Sequence, residues 1–222
     1  MEISVQGTHE ETVRPEIGRL HAIARAEAPG KAEVLRTATE VVHLLQSEFK
    51  RLQQAGAVTE IVVRPISTSS WHPVSRGRQQ PAIYRAQASL RADFTDFTAL
   101  ADLAAQFGDT EGLELNWVEW RLTEATRRDL ENTCLTRAVE QARDRALVMA
   151  RAAGVGDVTF VQLADPGLLG ERARGHAEVF SAAAPMGAMM RGAKMAEELT
   201  GIEIQPEDIT VGGVVEARFS TG

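Results

Sequence analysis

Tyr84-Arg85-Ala86-Gln87-Ala88-Ser89-Leu90-Arg91-Ala92-Asp93-Phe94 is the stretch on which the fold turns. In an extended chain Tyr84, Ala86, Ala88, Leu90, Ala92 and Phe94 fall on one face, and Arg85, Gln87, Ser89, Arg91 and Asp93 on the other. Such period-two alternation is the pattern of a half-buried strand. A strand with one wet face suits an antiparallel sheet covered by helices on its other side, because parallel strands are buried on both faces. Immediately downstream, Asp96 is placed to cap a helix carrying Phe97, Leu100, Ala101, Ala104 and Phe107, which ends at Gly108. Residues 113–122 are extended again.

The same order of strand, helix, glycine and strand occurs earlier in the chain. Leu20, Ala22, Ala24 and Ala26 alternate with Arg19, His21, Arg25 and Glu27, with Ile23 the one apolar residue on the wet face. Pro15 predicts a turn back from a first short strand, hence an antiparallel hairpin at the start of the chain. Residues 31–55 switch to helical period, with Val34, Ala38, Val41, Val42, Leu45, Phe49 and Leu52 in one stripe, and stop at Gly56. Residues 58–67 read as a strand in which Pro65 marks an edge position or a bulge. The polar, basic, turn-rich residues 68–81 read as a hairpin loop.

A long helix over 124–153 presents Leu130, Cys134, Ala138, Ala142, Ala146, Met149 and Ala153, mostly small, and meets Gly154. Strands at 158–163 and 209–219 complete the chain. Gly56, Gly108 and Gly154 each follow a helix, where a left-handed residue closes the last turn without a Cβ clash. The order is β-β-α-β-β-α-β-α-β-β, an α+β class with an antiparallel sheet and helices packed on it around one shared core. Residues 1–222 are expected to form one domain, with a mobile insert at 166–200 where Gly, Ala and Met replace any clean period.

Composition removes several functions. The chain of 222 residues is 44% hydrophobic and 25% charged, as in ordinary globular proteins, and its net charge of −7 disfavours nucleic acid and anionic membrane surfaces. No apolar stretch approaches the roughly 20 residues of a membrane helix. Met1-Glu2-Ile3-Ser4-Val5-Gln6-Gly7 reads as a strand, without the basic and apolar regions of a secretory leader, so a cytoplasmic location is expected. The single cysteine, Cys134, rules out an intramolecular disulfide and suits a small apolar place on a helix face.

No constellation of residues specifies a reaction. Gly187-Ala188-Met189-Met190-Arg191-Gly192-Ala193-Lys194 has the outline of a phosphate loop, but Ala193 separates the glycine from the lysine and Met195 stands where a hydroxyl is needed. Gly154-Val155-Gly156 follows a helix, the wrong polarity for a dinucleotide fingerprint, and reads as a turn. Met186, Met189, Met190 and Met195 lack a neighbouring His or Cys to complete a soft metal site and fit an adaptable apolar surface better. His9-Glu10-Glu11 is placed in a turn and lacks the second histidine of a zinc-protease helix, while His21 and His43 read as structural or solvated. Trp117 and Trp120 stand three apart on a strand and so point to opposite faces, one core and one outward. The outward one, and Trp71 in the loop, are candidate interface anchors as well as candidates for ordinary packing.

Several local signatures together resemble the SIMPL-domain family, whose bacterial members include a periplasmic immunogenic antigen. They are Ile3-Ser4-Val5-Gln6-Gly7 followed by Val13-Arg14-Pro15-Glu16, the Gly56 helix end leading to Thr68-Ser69, and Tyr84-Arg85-Ala86. The alanine spacing Ala138, Ala142, Ala146 and Ala150 ending in Ala153-Gly154, and Ile209-Thr210-Val211, complete the set. The resemblance implies an α/β sandwich that tends to oligomerise, in some members into rings or channels. Members have been linked to oxidative-stress tolerance, the cell envelope and, in animals, kinase signalling, and the resemblance carries over no catalytic motif. The expectation is a non-enzymatic homo-oligomer without cofactor or metal, acting as a scaffold or stress-related binding module, with room for a protein partner. The alternative is a small-ligand binder or enzyme whose site is built from scattered residues.

Overall fold

A computed structural model describes residues 1–169 and 204–222. In chain order it contains strands β1 (Glu2–Val13) and β2 (Ile17–Ala28), helix α1 (Lys31–Gln54), and strands β3 (Val58–Val63), β4 (Ser67–Trp71), β5 (Val74–Ser75), β6 (Arg78–Gln79) and β7 (Ile83–Phe94). Helix α2 (Phe97–Phe107), strand β8 (Leu113–Arg121), helix α3 (Glu124–Ala152) and strands β9 (Val158–Ala164) and β10 (Ile209–Thr221) follow. These elements form two compact units, one of residues 1–13, 123–169 and 210–222, the other of 14–122 and 204–209. The α+β class and the antiparallel sheets agree with the sequence.

In the second unit the strand order is β3-β7-β2-β8, every neighbouring pair antiparallel, with β4 continuing along the β3 edge of β7. Strands β2 and β3, joined by α1, are therefore parallel with β7 between them. Strands β7 and β8, joined by α2, are parallel with β2 between them. The repeated strand–helix–strand pattern has thus become two interleaved split β-α-β units, the ferredoxin-like arrangement. Pro65 lies in the break between β3 and β4, where a missing N–H costs no ladder bond.

The helices of this unit cover the face on which β2 and β7 place small residues. All seven stripe residues of α1 are buried. Of these, Val41, Val42, Leu45, Phe49 and Leu52 share a core with Leu20, Ala22, Ala24, Ala88, Leu90, Ala92 and Phe94, to which α2 adds Leu100, Leu103 and Phe107. Phe49 meets Phe94 edge to face at 6.2 Å. Asp96 caps α2 as expected, its carboxylate accepting from the backbone N–H of Thr98 at 2.9 Å and of Ala99 at 3.2 Å.

The first unit is a three-stranded sheet, β1-β10-β9, with α3 against it. Met1 bonds Thr221 and Thr12 bonds Thr210, so β1 and β10 run antiparallel, as do β10 and β9. Buried Cys134, Ala138, Ala142, Ala146 and Ala150 form one ridge of α3 at four-residue spacing. At two points the helix rests directly on glycine. A Cβ on Gly7 would lie 1.9 Å from the Ala138 carbonyl oxygen, and one on Gly213 would lie 2.7 Å from the backbone of Cys134 and Leu135.

Several readings of the sequence require correction. Strands β1 and β2 do not make a hairpin: β1 joins β10 and β2 joins β7 and β8. The helices consequently do not share one core, since α3 packs in a cluster with Ile3, Val5, Val215 and Phe219, apart from the cluster under α1 and α2. Residues 68–81 hold more than a loop: β4 pairs β7, and β5 and β6 form a small hairpin whose turn holds Arg76 and Gly77. His9-Glu10-Glu11 lies within β1, not in a turn. On α3 Met149 is 50% exposed and Ala153 is exposed, while Ala150 is buried, because a four-residue ridge drifts around the helix as it follows a twisted sheet. Gly56 and Gly154 adopt positive φ, but Gly108 has φ −58° and continues the helical turn. The left-handed residue there is Gly112, φ +76°, whose Cβ would lie 2.7 Å from the Arg25 carbonyl oxygen.

Candidate functional site

The face of the second unit's sheet that turns away from α1 and α2 carries its polar chemistry. Strand register sets side chains in transverse rows across it. Glu60, Asp93, Arg19 and Glu119 make one row, and Val62, Arg91, His21 and Trp117 the next, each crossing β3, β7, β2 and β8 in that order. Opposed side chains in neighbouring strands lie about 5 Å apart at Cβ, so each row is a line of direct contacts.

In the first row Arg19 donates to both oxygens of Asp93, from Nε at 2.6 Å and Nη2 at 2.7 Å, and also reaches Glu60 at 3.3 Å. The bond to Asp93 raises the Arg19 pKa, against the opposing effect of burial. Asp93 is 5% exposed and is the buried charged residue among those described. In the second row Arg91 donates to Glu60 at 3.2 Å, while its Nε is buried and has no acceptor among the described residues. His21 faces Glu119 at 3.4 Å and stacks on the Trp117 ring, centroids 4.5 Å apart and planes 14° from parallel.

Trp117 points outward because of one residue. Leu115 pairs with Ala22 and Trp117 pairs with His21, so Asn116 is an unpaired bulge in β8. Without it, Trp117 would share the inner face with Leu113 and Leu115. With it, Val118 and Trp120 turn inward, where Trp120 meets Phe97 edge to face at 5.0 Å, and Trp117 stands 59% exposed. Opposite orientations for the two tryptophans are thus observed. Gly18 pairs with Trp120 and makes room for its ring, an added Cβ coming within 2.9 Å of Cζ3.

A cavity of about 210 Å³ opens beside the stacked pair, lined by His21, Val62, Arg64, Ser89, Arg91 and Trp117. Arg64 lies just past β3, held opposite Ser89 by its backbone N–H, which donates to the Ser89 carbonyl at 2.9 Å. The Arg64 side chain is exposed and has no partner among the described residues. Trp71, on β4, is 46% exposed but pairs with Ile83, eight residues along β7 from Arg91, or roughly 27 Å. It does not belong to this cavity. A larger hollow of about 600 Å³ at the β5–β6 hairpin is lined by exposed Ser75, Arg76, Arg78 and Gln80 and has no apolar wall.

Sequence reading found Trp117 and placed His21 on the wet face, but passed over Arg64, Ser89 and Arg91. One signal pointed to them: residues 61–92 contain five arginines and no acidic residue in a chain whose net charge is −7. The phosphate-loop outline at 187–194, the four methionines and nearly all of the insert at 166–200 lie outside the described residues. Among the described residues no cluster of His, Cys, Asp or Glu is arranged to hold a metal ion, and no helix is long and apolar enough to cross a membrane.

Antiparallel sheets with helices on one face and a split β-α-β core define a class by architecture rather than chemistry. The chain belongs to the SIMPL family, described as a protein of unknown function (DUF541), which it matches over residues 3–219. That span includes both units. Comparison with curated proteins found no match.

Proposed function

We propose that this SIMPL protein is non-enzymatic and associates with further copies of itself through the outer face of the β3-β7-β2-β8 sheet, with Trp117 at the contact. Residues 1–222 then act as one SIMPL domain serving as a scaffold or stress-related binding module. The supporting observation is Trp117 itself: a 59% exposed indole on a face whose other members are largely closed by ion pairs. An exposed tryptophan amid polar neighbours is a common interface anchor. It stands on β8, the last strand of its sheet among the described residues, and an edge strand is a template for pairing with a second chain.

Light scattering after gel filtration tests this. The wild-type protein should exceed the monomer mass of 24.1 kDa at high micromolar concentration, and Trp117→Glu should lower the mass while the far-ultraviolet dichroism stays unchanged. Trp71→Glu, on a separate patch, reports whether β4 supplies a second contact. A wild type that remains at 24.1 kDa removes the reading before any variant is made.

A further inference from the structure

The charges around the cavity do not balance. Three guanidiniums, Arg19, Arg91 and Arg64, stand beside two carboxylates, Asp93 and Glu60, while Glu119 is taken up by Arg121 and His21. Glu60 occupies one of the five N–H donors of Arg91, and Arg91 Nε finds no acceptor among the described residues, so that guanidinium is not saturated by them. Arg64 brings a complete donor fork with no partner among the described residues. Ser89 adds a hydroxyl, and the stacked His21 and Trp117 rings add a flat apolar surface on the β2 and β8 side.

We propose that this cavity binds a small organic acid as its carboxylate, the oxygens taken by Arg64 and Arg91 and the planar body laid against Trp117. One unbalanced positive charge calls for one negative charge. A guanidinium fork matches the two coplanar oxygens of a carboxylate, which it bonds in parallel. The volume, about 210 Å³, lies under the roughly 300 Å³ where drug-sized ligands begin, so the acid is small. A compact tetrahedral anion would meet the arginines and leave the aromatic surface unused. The inference shares Trp117 with the proposed contact between copies but requires no second copy, because its charge recognition rests on Arg64 and Arg91.

Benzoate is the probe, benzamide its neutral counterpart of the same shape, and inorganic phosphate the compact anion. Binding is followed by calorimetry and by the indole N–H resonances, that of Trp117 being identified as the one lost in Trp117→Phe. Benzoate should shift the Trp117 resonance saturably, and benzamide should bind at least about tenfold more weakly. Arg64→Gln should weaken benzoate by about tenfold or more, the effect of one lost charge-assisted hydrogen bond. Arg64 is exposed and its structural contact is a backbone one, so this variant keeps the fold. Equal affinities for benzoate and benzamide, an unchanged affinity in Arg64→Gln, or tighter binding of phosphate than of benzoate overturns the assignment. Light scattering on the same samples separates the two readings. A monomer that binds benzoate keeps this one alone, and an oligomer indifferent to benzoate keeps only the other.

Discussion

Arg19 lies across β7 and closes on both oxygens of Asp93, and the two side chains are only 12% and 6% exposed. The pair ties β2 to β7 on the outer face, and through Glu60 it is linked to Arg91. Removing one partner of a largely buried pair leaves the other charge without compensation. Asp93→Ala should therefore cost about 3–5 kcal/mol in urea unfolding. Arg19→Met combined with Asp93→Leu should recover most of that loss, since no unpaired charge is left. A double variant no more stable than Asp93→Ala would show that the pair contributes more than its own charge balance.

Gly7 sits where α3 meets β1 with no side chain between them. Its added Cβ would fall 1.9 Å from a backbone oxygen, Ala138 O, which cannot rotate away as a side chain could. Gly7→Ala should destabilise the protein by about 3 kcal/mol, at the upper end for overpacking. Gly156 has open space around its Cβ position and no positive φ, so Gly156→Ala should lie within about 0.5 kcal/mol of wild type. Thermal unfolding of the two variants side by side makes the comparison.

Cys134 is fully buried on α3, its thiol donating to the Val211 carbonyl at 3.3 Å, and burial pushes its pKa above the ordinary 9.0. A thiol with a raised native pKa adds no pH dependence below the unfolded value, where it is protonated in both states. As pH climbs past about 9 the unfolded chain loses that proton first, so stability should fall there. Native protein at pH 8 should react with a disulfide reagent only at the rate at which the first unit opens. Stoichiometric labelling within seconds under native conditions would contradict this.

How much was legible follows the range of each interaction. The stripe of α1 from Val34 to Leu52 and the alternation of β2 and β7 were read correctly residue by residue, because helical and extended periods are carried by neighbours in the chain. Leu103 of α2 was missed, although it is 2% exposed, because a stripe drawn through Leu100 and Ala104 leaves it to one side. The helix ends were found, yet at Gly108 the backbone turn came four residues later, at Gly112, set by a close approach to Arg25. Of the candidate site, Trp117 was singled out as one of two, and the arginines around it were not, since nothing local distinguishes Arg64 and Arg91 from other solvated charges.

By itself the sequence determined the α+β class, the amphipathic elements, the repeated strand–helix–strand order and the opposite orientation of Trp117 and Trp120. These depend on hydrophobic period and on residues that bias their own backbone. Tertiary structure alone decided which strands meet. It sent β1 to β10, some two hundred residues away, rather than to β2, and so divided the helices between two cores. It also chose Asn116 as the bulge, which settles that Trp117 is the outward ring and brings it beside His21, Arg91 and Arg64. Pairing and register are non-local because every strand satisfies its backbone equally well with many partners. Only the packing of the assembled faces separates one arrangement from the rest.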